Sequence, residues 1–343
     1  MSRAGNPGAR KFVLAVRGRG EASSTTLTEV NIMRRKASVY AFFVWVAITT
    51  ASQPARATNI TVNCDRRESI RQAVKLLAGS NPQGPNTISV RGSCVENILI
   101  QGMDRLTLIT KKGASITDRS AGNSVVVDIE NSHSVTLQGF SINGGAGGVV
   151  CNAASVCYLT GNTIQDSAGA GVGVSGGSHA FLESNVIQSN GFRGSTVTDG
   201  SQMFSSNDLF QGNVAQGITL SFGAYLQASN SSFLNNAVGV EAAASTVRLS
   251  GGTISGSGGD GMRLLGGSAA VFQGPTITGN GGNGVHLEDG AFAGFLGANI
   301  TGNLSGMDVD CAPQFPITRF VERTGGITNC VESASNSKPK TVE

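Results

Sequence analysis

Charge is scarce in this sequence of 343 residues: only 14% are Asp, Glu, Lys or Arg, against a usual quarter. Proline is thin at 8, and tryptophan occurs once, as Trp45. No C-x-x-C pair is present, which removes the common zinc spacing and the dithiol redox motif. The charge-free apolar run 37–50 is shorter than the ~20 residues a membrane-spanning helix needs. Collagen's strict Gly-X-Y period is missing too. Glycine itself is plentiful, at 48 residues, and 39% of the chain is hydrophobic. Many tight turns between short ordered segments, built around a real core, are the expectation.

The formal charge of +3 belongs mostly to the N-terminal part. Met33-Arg34-Arg35-Lys36, the apolar run and the small-x-small triplet Ala55-Arg56-Ala57 read as a secretory signal peptide over 33–57. Residues 1–32 then read as a misassigned N-terminal extension, and 331–343 as a disordered tail. Residues 1–57 hold nine Lys/Arg and two Asp/Glu, so the chain from Thr58 carries 16 basic and 20 acidic residues, a net −4. An acidic exported protein without its only tryptophan has no electrostatic reason to bind nucleic acid. No membrane span is expected in the mature chain, and the localisation is secreted or periplasmic. All six cysteines lie in this part, and an even number in an exported chain favours disulfides. Fifteen pairings are possible. Position favours Cys64–Cys94, Cys151–Cys157 and Cys311–Cys330.

From Val135 onward the sequence repeats every 22–23 residues. One apolar column reads Ile142, Ile164, Ile187, Phe210, Phe233, Ile254, Ile277, Ile300. Six or seven residues later comes a glycine: Gly148, Gly171, Gly194, Gly217, Gly239, Gly261, Gly284, Gly306. Three further on is a second column, Cys151, Val174, Val197, Leu220, Ala242, Leu264, Leu287, Val309. A third column reads Val135, Tyr158, Phe181, Phe204, Leu226, Leu249, Val271, Ala293. Asn190, Asn213, Asn236, Asn280 and Asn303 share a polar position between the first two columns. Such fixed-period similarity marks a solenoid. The short period-2 stretches are strands, three per repeat, and parallel crossovers are right-handed. The fold class is therefore all-β: a right-handed parallel β-helix over 58–330, with ten coils about 4.8 Å apart making a rod on the order of 50 Å. The recurring glycine suits a turn with positive φ, and stacked Asn side chains can bond along the axis. Calcium-binding nonapeptide coils are rejected, because the ligand Asp after Gly258-Gly259-Asp260-Gly261 and Gly281-Gly282-Asn283-Gly284 is replaced by Arg263 and His286.

A solenoid needs capped ends. Asp65 reads as an N-cap with Glu68 as its capping-box partner, followed by Ile70, Ala73, Val74 and Leu77 on one helical face and a stop at Gly79. This N-terminal helix would close the first coil. The segment Cys311–Cys330, with Pro313 and Pro316, breaks the repeat as a disulfide-closed cap.

The stretches Ile60-Thr61-Val62-Asn63-Cys64, Pro85-Asn86-Thr87-Ile88-Ser89-Val90 and Gly92-Ser93-Cys94-Val95-Glu96-Asn97, with coils such as Leu159-Thr160-Gly161-Asn162-Thr163-Ile164, resemble the bacterial exported right-handed parallel β-helix repeat proteins. The resemblance covers roughly 58–330 and implies the pectate-lyase-like superfold, which hosts lyases, hydrolases, esterases and epimerases of acidic polysaccharides as well as adhesins. The short motifs of its enzymes (Asn-Thr-Asp, Asp-Asp, Gly-His-Gly and Arg-Ile-Lys of polygalacturonases, Asp-Pro-His of alginate epimerases) are missing, so no family catalytic residue carries across.

One constellation follows from the repeat itself. Positions two and four after each column glycine point outward, because position three points in. The early pairs, Val150/Asn152 to Thr219/Ser221, are neutral. The late pairs bring Glu241, Arg263, His286, Glu288, Asp308 and Asp310 to one face. Asp308 is expected to orient His286, and Glu288 with Asp310 to share a proton or a cation. Tyr158 and Tyr225 fall in or beside the inward third column, which leaves few aromatic platforms for sugars. Phe192 and Phe222 read as packed in the core or at turns, and His133 and His179 as turn residues. The expected function is an exported module with a binding or structural role at the cell envelope or outside the cell. The alternative is a polysaccharide-active enzyme using the charged face, and only that alternative brings in calcium. The candidate partner is a polysaccharide or another envelope component.

Overall fold

Each repeat supplies three strands because each has its own apolar alternation and its own corner. The computed structural model describes residues 57–110, 113–304, 306–312 and 327–330. The expected signal peptide, the 1–32 extension, the tail and both cap prolines lie outside the described residues. The strands form three parallel sheets, here called A, B and C, of eleven, ten and ten strands among the described residues. Sheet A runs from Thr58–Asn63 to Phe292–Leu296, sheet B from Ser93–Val95 to Asn299–Thr301, and sheet C from Ile98–Gln101 to Val309–Cys311. Thr58–Asn63 pairs directly with Asn86–Arg91, and from there on strands three apart in sequence order are hydrogen-bonded neighbours, so the chain passes A, B, C once per coil.

The apolar columns fill the interior. Ile142, Ile164, Ile187, Phe210, Phe233, Ile254, Ile277 and Ile300 are all buried on sheet B. Phe210 stacks on Phe233 with centroids 5.2 Å apart, and Phe272 on Phe295 at 4.7 Å. Such stacking adds about 0.5–1.5 kcal/mol per pair to simple burial.

The corners are held by polar ladders. At the corner from B to C, Asn190 Nδ2 donates to Asn213 Oδ1 (2.9 Å), and Asn213 Nδ2 to Asn236 Oδ1 (3.0 Å). A second ladder, unnoticed in the sequence, turns the corner from A to B through Asn162, Asn185 and Asp208. Asp208 is buried, which pushes its carboxyl above the ordinary carboxylate range against hydrogen bonds from Ser205, Asn185 and Ser206. A serine ladder turns the third corner: the backbone N–H groups of Ser132, Ser155 and Ser178 donate to the hydroxyls of Ser155, Ser178 and Ser201. The buried backbone at each turn is thereby satisfied.

The glycine column has a different cause from the one expected. Gly148, Gly171, Gly194, Gly217, Gly239, Gly261 and Gly284 do not have positive φ. They are needed because successive coils touch there. A Cβ on Gly148, Gly194 or Gly217 would stand 2.5 Å from the carbonyl oxygen of the next glycine in the column. Positive φ is needed instead at the corner from A to B, where Gly161, Ser184, Asn207, Asn230 and Gly251 succeed one another. Gly306 is not in the column: the residue facing Gly284 is Asp308, because the last corner is one residue longer than its predecessor.

The N-terminal cap departs in detail as well. Asp65 lies in a 3₁₀ turn, Cys64–Arg66, and Arg67 is left-handed (φ 65°), which separates that turn from the helix. Helix α1 spans Ile70–Ser80 with Ser69 as its N-cap, and Gly79 is inside it. Glu68 does reach back, but to the Asn63 N–H (2.6 Å). Glu96 Oε1 accepts from Ile70 N (2.8 Å), and Glu96 Oε2 from Arg71 N (3.1 Å) and the Ser69 hydroxyl (2.7 Å). A carboxylate there also favours the positive end of the helix dipole. Ile70, Ala73, Val74 and Leu77 are buried over the first coil. The disulfides are Cys64–Cys94, Cys151–Cys157 and Cys311–Cys330. At the far end Val309 N donates to Ile327 O, and Cys311 N to Asn329 Oδ1.

Gly194→Ala tests the close-approach reading. Overpacking against Gly217 O and Asn213 is expected to cost about 1–3 kcal/mol in urea denaturation. A Gly→Ala change with no effect there would contradict it.

Candidate charged face of sheet C

The outer row of sheet C is a straight column, because parallel pairing places equivalent residues of successive coils side by side. It reads Leu99, Asp128, Val150, Gly173, Thr196, Thr219, Glu241, Arg263, His286, Asp310. The last four are the charged cluster. His286 Nδ1 is 2.6 Å from Asp310 Oδ2. Arg263 Nη2 is 3.1 Å from Glu288 Oε1, and His286 Nε2 is 3.8 Å from Glu288 Oε2. Glu288 thus joins Arg263 to His286, which Asp310 holds from the other side. Glu241 faces Arg263 across the rung, and its charge also acts on Arg193. Burial lowers the Arg193 pKa, and Glu241 opposes that change.

Asp308 does not orient His286. The longer last corner shifts the register by two residues from the expected one. Asp310 takes the outer position, and Asp308, only 6% exposed, turns into the corner. There its Oδ1 accepts from Asn303 Nδ2 (3.0 Å) and its Oδ2 from Ile327 N (2.8 Å), ending the Asn ladder. Val309 likewise faces Val285 rather than Leu287. Asp310 is fixed further by Asn329 Nδ2, which donates to its Oδ1 (2.8 Å). Glu288 is engaged by Arg263 and His286, so the expected Glu288/Asp310 pair is replaced by two separate carboxylates on either side of one imidazole.

The third apolar column falls into three rows, with Leu249 on a second inward row beside Phe272 and Val271 on the outer row. Val135, Cys157, Ala180, Met203, Leu226 and Val247 form one inward row of sheet A. Tyr158, Phe181 and Phe204 belong to the outer row beside it. They stack on one another at 5.0 and 4.9 Å, and Tyr225 tilts against Phe204 at 5.9 Å. Their faces cover each other, so the ribbon presents edges outward. Phe192 and Phe222 are not packed away, at 45% and 74% exposed, and the Arg193 guanidinium lies 4.1 Å above the Phe192 ring. His179 begins a strand, and His133 forms an isolated bridge with Asp104.

A family model for the right-handed β-helix region matches residues 53–220 and 129–305. The chain belongs to the right-handed β-helix family. A search of curated proteins finds no match. Solved β-helix structures resemble it at low identity. The A-module of mannuronan C-5 epimerase AlgE4 from Azotobacter vinelandii is 12% identical, with a TM-score of 0.57 over 77% of this chain and 91% of that one. Tailspike protein 2 of Escherichia coli O157:H7 bacteriophage CAB120 is 13% identical, with a TM-score of 0.57 over 76% of this chain and 42% of that one. Pectate lyase Pel9A is 11% identical, with a TM-score of 0.51 over 76% and 79%. At such identity the likeness is one of fold.

This β-helix carries acidic groups on the same face that the sequence reading passed over. Asp128 and Glu130 lie at its N-terminal end, where burial and then the neighbouring Glu130 raise the Asp128 pKa. The alternation Val127-Asp128-Ile129-Glu130 was a usable signal for both. Asn329 had none, since it reaches Asp310 from the cap. The one metal-like cluster among the described residues, Cys64, Cys94 and Glu96, is a disulfide beside the carboxylate that caps α1.

A carboxylate only accepts, so whenever the His286 ring is neutral its one proton sits on Nδ1, toward Asp310, and Nε2 carries none. Nitrogen-15 NMR of the imidazole should show that tautomer in the wild type and lose it in Asp310→Ala. The ordinary Nε2–H tautomer in the unmutated protein would contradict the pairing.

Proposed function

We propose that this β-helix is an exported module that binds an extended polysaccharide or another envelope component at or outside the cell surface. The observation that carries this is the uniform coil. Equivalent outer side chains recur in straight rows along the axis, and such rows match a polymer better than a compact ligand. Three disulfides with no free cysteine among the described residues fit an oxidising compartment. No helix among the described residues is long and apolar enough to cross a membrane. The similar structures named above include a mannuronan epimerase and a pectate lyase, which supports a glycan as partner.

A second reading, a lyase, hydrolase or epimerase of acidic glycans, has one observation in its favour. Asp310 orients His286 as a general base would be oriented. Beside it the Arg263 guanidinium, whose side chain is 41% exposed, is a cation suited to an anionic oxygen. In that reading His286 Nε2 would take the proton, Arg263 would stabilise the developing charge, and calcium would enter only as a possible aid between carboxylates.

A panel of acidic and neutral polysaccharides, with and without calcium, separates the two. Retention on a polymer with no new chain ends and no epimer change is the expected result. Turnover that disappears in both His286→Ala and Asp310→Ala would replace the first reading by the second.

A further inference from the structure

The N-terminal cap carries a positive cavity that neither the repeat nor the charged face of sheet C uses. Residues 58–119 hold nine Lys/Arg and five Asp/Glu, whereas 120–343 hold seven and fifteen. The molecule is therefore positive at one end of its sequence and negative over the rest. Within the positive part, a cavity of about 420 Å³ is lined by Arg67, Arg71 and Arg119 together with Ser69, Gln72 and Ser93. That volume lies within the roughly 300–1,000 Å³ range of small-ligand sites.

The three arginines come from three different elements: the turn before α1, the first turn of α1, and the loop after the strand Ser115–Thr117. All three are exposed. Among the described residues the ion pairs are Arg105–Asp104, Arg263–Glu288 and the two of His286, so none of the three is paired. The two carboxylates in the cavity wall are already engaged. Glu68 accepts from Asn63 N, and Glu96 accepts from the N-terminus of α1. The loop of Arg119 is fixed too. Arg119 N donates to Asn97 Oδ1 (3.0 Å), and the Asp118 carboxylate accepts from Ser120 N, Gly122 N and Asn97 Nδ2. The Cys64–Cys94 disulfide lines the cavity as well.

We propose that this cavity binds the carboxylate-bearing residues of an acidic oligosaccharide. Guanidinium groups match carboxylates in bidentate geometry. The cavity exceeds the size of one small anion, and its three cations come from three separate elements, as suits a ligand with more than one carboxylate. Ser69, Gln72 and Ser93 offer partners for sugar hydroxyls, while Val95 and the disulfide give an apolar wall for ring carbons. The inference rests on the binding reading for the class of polymer, and on the cap alone for the place.

Calorimetric titration of the full chain with an oligogalacturonate tests it, with a malto-oligosaccharide of equal length as neutral comparison. Binding that weakens about tenfold or more at high salt is expected, with none for the neutral sugar. The triple variant Arg67→Gln, Arg71→Gln, Arg119→Gln should lose about tenfold or more in affinity at unchanged melting temperature. Arg105→Gln, which removes a positive charge outside the cavity, should stay within about twofold. Equal affinity in the triple variant, equal loss in Arg105→Gln, displacement by inorganic sulfate at matched ionic strength, or binding only to anionic phospholipid vesicles would each overturn the assignment. If neutral polymers alone bind, the cavity assignment falls and the wider binding reading stands. If no glycan binds, the cavity assignment and the polysaccharide half of the binding reading both fall.

Discussion

Everything in this fold depends on successive coils approaching closely enough for their backbones to pair at every corner as well as along every sheet. The glycine column shows where that requirement is tightest. From Gly148 to Gly284 a Cβ on one coil would run into the carbonyl oxygen of the next coil. A side chain there would hold the coils apart, and the Asn ladder beside it would lose its reach. Its amide-to-amide bonds of about 3 Å need that same spacing. The apolar stacks inside follow from it too, since rings at 4.7 and 5.2 Å can stack only when their strands stand one rung apart.

The same constraint builds the outer surface. Once the rung spacing and register are set, a residue at a given position in one coil must neighbour its equivalent in the next. His286 and Asp310 meet for this reason, although 24 residues separate them. Arg263 and Glu288 are brought together across one rung as well. These partly exposed pairs are not what holds the fold together, the Arg263–Glu288 pair being worth about 0–1 kcal/mol. Their meaning is therefore chemical: an imidazole held by one carboxylate and approached by another, with a guanidinium close by.

Most of the architecture was legible in the sequence because a 22–23 residue period repeats a physical unit. The strand columns, the Asn ladder and the outward row as far as Glu288 stood out for that reason. What was hidden has three causes. First, apolar does not mean inward: Tyr158, Phe181 and Phe204 bury their faces on one another outside sheet A. Second, a recurring glycine can mark a contact rather than a turn, and spacing alone does not distinguish the two. Third, one extra residue in the last corner displaced Asp308 from the face and put Asp310 beside His286. Gly306 mimicked the column glycine there, so the error was invisible until the pairing was known. The N-terminal cap shows the same limit, since Glu96, 26 residues away, serves the helix end that Asp65 was expected to serve.

The claim on which the site stands is that coil register, not proximity in sequence, chooses the partner of His286. Double-mutant cycles on stability decide it. The account predicts a coupling of about 0.5–3 kcal/mol between His286→Ala and Asp310→Ala, and additive effects for His286→Ala with Asp308→Ala. Coupling to Asp308 with none to Asp310 would contradict it.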